Sequence, residues 1–90
     1  MPWKIIITES FSKEFKKYKK DRNLANALDK KMQRLKENPD NVGKYLCGKL
    51  SSLKSTRIYK KFRLVFKISE IDKSVLLIGI DHRKFNYQNF

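Results

Sequence analysis

Residues 55–69 read STRIYKKFRLVFKIS. The stretch is rich in β-branched and aromatic residues, which fit a pleated sheet. It divides into two strands, Thr56–Lys60 and Phe62–Ser69. In the second, period-two alternation sends Phe62, Leu64, Phe66 and Ile68 one way and Arg63, Val65 and Lys67 the other. The same rule places Arg57 and Tyr59 on one face of the first. Five basic residues, Arg57, Lys60, Lys61, Arg63 and Lys67, stand here with no acidic one. Such a face is either a plain solvated surface or the seat of an anion.

Downstream, EIDK (70–73) reads as a hairpin turn. SVLLIGID (74–81) is nearly continuous apolar sequence, as expected of a central strand covered on both faces. HRKFNYQNF (82–90) closes the chain. Upstream, WKIIIT (3–8) is a short β-branched strand. Ser10 or Ser12 is positioned to cap the helix that follows, in which Phe11, Phe15 and Tyr18 recur at helical spacing. A second helix over 24–37 carries the stripe Leu24, Leu28, Met32 and Leu35, and Asn38-Pro39 stops it. Residues 39–54 read as a loop anchored by Leu46, Leu50 and Leu53. Its glycines do not form the phosphate-cradling G-x-x-x-x-G-K-[ST] pattern.

The order strand, helix, helix, three consecutive strands predicts a single α+β domain over 1–90. The helical hairpin packs on one face of a twisted, mainly antiparallel sheet. The opposite face, expected to be concave and basic, then carries Arg57, Arg63 and Lys67, with Val65 among them.

Composition narrows the partners. Lys plus Arg number 22 against 9 Asp plus Glu, a formal net charge of +13. A domain this basic attracts polyanions such as nucleic acid or an acidic protein. Residues 1–50 hold 13 basic and 6 acidic residues and 51–90 hold 9 and 3, so the charge does not sit on a detachable tail. Cys47 is the only cysteine, which excludes an intrachain disulfide and fits a reducing, cytoplasmic setting. The three consecutive isoleucines near the N-terminus are too short for a membrane span or a signal-peptide core.

One His and one Cys cannot assemble a zinc site, and no carboxylate spacing suits magnesium. No cofactor is expected. The remaining tools, Arg, Lys, Tyr and His82, suit one reaction. RNA cleaves itself when its own 2′-OH attacks the adjacent phosphate, so a protein need supply only a base, cations and a donor for the leaving oxygen. Arginine gives bidentate phosphate contact and stays charged. A lysine crowded by other cations loses its proton more easily.

The sequence RIYKKFRLVFKI, a turn, and an apolar strand ending in IDHRKFNY resembles the RelE/ParE superfamily of type II toxins. TESFSKEFKKY is similar to the family's first strand and helix, and LKENPDNVGKYLCGKLSSLKSTRI to its central stretch. The resemblance implies a RelE-like mRNA interferase: a ribosome-dependent, metal-independent endoribonuclease acting in the A site. It also implies an acidic RelB-like antitoxin in a hetero-oligomeric complex, and contact with ribosomal RNA. Carried over by position, Arg63 and Arg83 meet the scissile phosphate, Tyr87 stacks on a base or helps move a proton, and Lys60 or Lys61 is the base. Arg57, Lys67, Lys84 and His82 complete the RNA-binding set. Where relatives alternate two lysines on this strand, the chain has Arg57 and Tyr59, and arginine does not deprotonate, which brings in His82 as an alternative base. The alternatives are a ParE-like gyrase inhibitor without catalysis, and a plain basic nucleic-acid-binding domain. Each residue also has a bland reading: solvated cations on the sheet and helices, a hydrogen-bonded structural His82, and a Tyr87 that covers the sheet.

Overall fold

The strand over Ser74–His82 lies inside a five-stranded sheet of a computed structural model that describes residues 3–88 and 90. Strands β1 (Lys4–Ile7), β2 (Lys44–Tyr45), β3 (Lys54–Tyr59), β4 (Phe62–Ser69) and β5 (Ser74–His82) are ordered β1-β5-β4-β3-β2. Only β1 runs parallel to its neighbour; the other pairings are antiparallel. Helices α1 (Glu9–Tyr18) and α2 (Arg22–Glu37) complete the α+β fold.

The core follows from the apolar stripes. Phe11 of α1 and Leu28 and Leu35 of α2 pack with Leu64, Phe66, Val75, Leu77 and Ile80 of the sheet. Phe15, Tyr18, Met32 and Trp3 lean on this cluster half-buried. Leucine at helical spacing on one side and alternating large residues on the other interdigitate in this way. Because β1 stops at Ile7, β5 runs on with no strand on its β1 side. Thr8 Oγ1 and Ser10 Oγ donate to the carbonyls of Leu77 (2.6 Å) and Ile78 (2.7 Å) along that edge. The chain turns into α1 at this point.

Several boundaries differ from expectation. Thr8 caps α1, its hydroxyl accepting from Phe11 N–H at 3.2 Å, where Ser10 or Ser12 was the expected cap. Asp21 caps α2, which therefore starts two residues early. The 39–54 loop contains β2 and is seated on buried Pro39 and Val42, while Leu46, Leu50 and Leu53 are half-buried. Lys54 is buried at the start of β3, where its ammonium donates to the carbonyls of Pro39 and Asp40 at 3.3 and 3.0 Å. A buried lysine needs such acceptors.

Two register shifts decide which side chains reach the face away from the helices. On β3, Arg57 pairs Arg63 and Tyr59 pairs Phe62, leaving Ile58 unpaired and packed against the core. Simple alternation between Arg57 and Tyr59 therefore fails. The strand ends at Tyr59, and Lys60 sits in a two-residue turn at φ 50°. On β5, Gly79 pairs Val65 and Leu77 pairs Phe66, leaving Ile78 without a partner on β4. Such an inserted residue resets the inside–outside alternation of its strand.

Gly43 precedes β2 at φ +69°, and a Cβ there would run into the Ser55 carbonyl. Gly43→Ala is expected to cost about 1–2 kcal/mol for the left-handed backbone alone, with the clash adding to it. A lower urea midpoint at unchanged slope checks this.

Candidate nucleic-acid interface

Arg57 and Arg63 face each other directly across β3 and β4. Their pair alternates with Thr56–Leu64, whose Leu64 points to the helices, so both arginines point to the other face. Like charges directly opposite destabilise a sheet. Around them the hairpin turn and the chain after β5 bring further cations: Arg57, Lys60, Lys61, Arg63 and Arg83 line one cavity of about 270 Å³. The Arg83 N–H donates to the Lys61 carbonyl at 2.8 Å, tying the last turn to the hairpin. A second cavity of about 330 Å³ shares Arg57 and Arg63 and adds Lys44, Tyr45, Ser55 and Tyr87 among its walls.

Arg63 is the most constrained of these cations. Its Nη1 donates to Tyr87 Oη at 2.8 Å, and its guanidinium carbon lies 4.3 Å from the Tyr87 ring centre. Its Nη2 lies 3.4 Å from Asp81 Oδ2. Since an arginine N–H only donates, Tyr87 Oη accepts there, and it shares a further hydrogen bond with Ser55 Oγ at 2.8 Å in which either hydroxyl can donate. Both Asp81 oxygens stand 3.3 Å from the Tyr87 backbone nitrogen, whose N–H they accept. The Asp81 side chain is 0% exposed and that of Arg63 is 26% exposed. Burial pushes the Asp81 carboxyl above its ordinary range and Glu14 adds to this, while the Tyr87 N–H, Arg63 and His82 pull it down.

Asp81 reaches this face only through the shift at Ile78. Val75 and Leu77 point into the core, and strict alternation would send Asp81 the same way. Beyond the unpaired residue it pairs instead with Arg63.

The other expected residues fall around this centre. Val65 was expected among the exposed cations, but it is fully buried. Phe90 lies over this face: a Cβ on Gly79, the partner of Val65, would meet its ring. Lys67 and Lys84 are exposed and line neither cavity, and Lys84 lies over the Phe85 ring at 5.0 Å. His82 Nδ1 accepts from Lys84 N–H at 3.1 Å, and its ring meets Phe62 and Phe85 edge-on. That is a structural engagement outside both cavities. Sequence reasoning passed over Asp81 and Ser55. The available signal for Asp81 was a lone acid closing an otherwise apolar strand; for Ser55 there was none.

Among the described residues no three His, Cys, Asp or Glu side chains gather as metal ligands, and no helix is long and apolar enough to cross a membrane.

Residues 5–87 match the family model of the ParE toxin of the parDE type II toxin-antitoxin system. A protein of Methanocaldococcus jannaschii provisionally named toxin RelE4 is 33% identical over 87 residues, covering 96% of this chain and 92% of its own. The toxin-antitoxin complex RelBE2 of Mycobacterium tuberculosis contains a chain that superposes with a TM-score of 0.78 at 26% identity, covering 92% of this chain and 100% of that one. YafQ of Escherichia coli shares the fold with a TM-score of 0.77 at 17% identity, over 94% of this chain and 98% of its own. Family match, relative and fold agree over nearly the whole length, and the chain belongs to the RelE/ParE superfamily of type II toxin-antitoxin toxins.

Proposed function

We propose that this toxin is an endoribonuclease that cuts mRNA in the ribosomal A site without a metal. The observation that carries the reading is the cavity walled by Arg57, Lys60, Lys61, Arg63 and Arg83. Five cations gathered in one place repel one another, and a bound phosphate turns that cost into attraction. The 2′-oxygen of the RNA forms a bond to the adjacent phosphorus, and the bond from phosphorus to the 5′-oxygen breaks. Lys60 or Lys61 takes the 2′ proton, and the leaving 5′-oxygen takes one from water. Arg63 and Arg83 hold the phosphate oxygens, whose charge grows in the transition state. The Tyr87 hydroxyl is engaged by Arg63 and Ser55, which leaves its ring to stack on a base. Arg57 borders both cavities and tracks the backbone; Lys67, Lys84 and the helix lysines meet phosphates farther out. An acidic antitoxin is the expected neutraliser; RelBE2 and DinJ–YafQ, among the similar structures, are toxin-antitoxin complexes.

A second reading has its own support, because the matching family model is that of the ParE toxin, and ParE-like members act on DNA gyrase without cleaving RNA. One paired experiment separates the two. Brief expression followed by mapping of mRNA 5′ ends is expected to reveal new ends inside coding regions, while purified toxin leaves gyrase supercoiling untouched. Inhibited supercoiling with intact mRNA gives the site to gyrase instead.

A further inference from the structure

We infer that Asp81 is a positioning residue, a buried carboxylate that fixes the Arg63 guanidinium and the Tyr87 main chain so that both face the substrate. What Arg63 does once held rests on the RNA-cleavage reading; how it is held does not.

Several contacts converge on this group. Asp81 Oδ2 lies 3.4 Å from Arg63 Nη2, and both carboxylate oxygens lie 3.3 Å from the Tyr87 backbone nitrogen. Tyr87 Oη in turn accepts from Arg63 Nη1 at 2.8 Å and is braced by Ser55 at 2.8 Å. Each terminal nitrogen of Arg63 therefore commits one proton inward and keeps a second for an anion. Among the described residues Arg63 Nε is buried without a partner, an uncommon cost in a folded interior.

The turn that delivers Tyr87 is strained as well. Asn86 and Tyr87 follow one another at φ 45° and 66°; asparagine tolerates this left-handed backbone, but a tyrosine resists it. The bond from Tyr87 N–H to Asp81 is the side-chain contact that secures this backbone. Asparagine at 81 would keep an acceptor of the same size but remove the charge facing Arg63. A merely structural role would tolerate that exchange.

The test is Asp81→Asn, with Asp81→Glu to return the charge and to serve if the first variant does not fold. In the wild-type protein labelled with ¹⁵N, the ion pair slows guanidinium rotation, and the two terminal nitrogens of Arg63 are expected to give separate signals. In Asp81→Asn they are expected to merge. In a reconstituted translation system the same variant is expected to lose roughly 10- to 100-fold in kcat with little change in KM. Asp81→Glu is expected to recover part of the rate. Either an unchanged kcat or Arg63 signals that stay separate in Asp81→Asn overturns the inference. Should the wild-type toxin cleave no RNA, the cleavage reading fails by itself and the Arg63 signals alone decide the positioning role.

Discussion

Replacing Arg83 by alanine is expected to slow RNA cleavage about 10²–10³-fold, the loss typical of one oriented charge that acts mainly in the transition state. The change is structurally mild. Arg83 is an exposed residue, and the bond that ties it to the hairpin is made by its backbone N–H to the Lys61 carbonyl. Alanine keeps that bond, so unfolding free energy should move by no more than about 0.5 kcal/mol. Single-turnover cleavage on programmed ribosomes and urea unfolding of the same preparation measure the two quantities. Full cleavage by a folded variant would take Arg83 out of the site.

Arg63→Ala should cost as much in rate and, unlike the first variant, should also weaken the fold. It leaves Asp81 buried without its cation. Removing one member of a buried pair is expensive, though the partial exposure of Arg63 moderates this to about 1–3 kcal/mol. The loss has a definite pH signature. The native Asp81 carboxyl is already raised above its ordinary value of 3.8, chiefly by burial. A raised native pKa means the folded state binds the proton more tightly than the unfolded chain. Stability is therefore greatest below the unfolded pKa and declines as pH rises through the native one. Arg63, with His82 and the Tyr87 N–H, opposes that rise, whereas Glu14 adds to it. Deleting Arg63 widens the window. The melting-temperature gap between wild type and Arg63→Ala should be small near about pH 4 and larger at neutral pH. Arg63→Ala combined with Asp81→Asn should lose that pH dependence. A gap that is constant with pH would mean that Asp81 does not depend on Arg63.

The parts that repetition governs were legible in the sequence. The stripes of α1 and α2 and the alternation of β4 repeat over enough residues to be read directly, and β4 has the boundaries expected for it. Asn38-Pro39 stopped α2 where backbone sterics require. Single-residue irregularities were not legible. Nothing in RIYKKF announces that Ile58 drops out of register, nor in LLIGID that Ile78 does. Both are settled by packing between distant segments. The Phe90 ring that reaches Gly79, the partner of buried Val65, is likewise a contact without local pattern. The cations of the site were visible because charge is visible. The acid beside them was marked only as a lone carboxylate closing an apolar strand, and the register of β5 decides which way it points.

The unpaired residue at position 78 also limits how the gene can vary. Deleting that one codon would restore plain pairing and leave the lone anion opposite its arginine, since only the bulge is lost. Adding one codon between positions 78 and 81 would instead turn the anion toward the oily side of the sheet. A strand longer by one residue could thus keep every cation and leave two guanidinium groups facing each other unbraced.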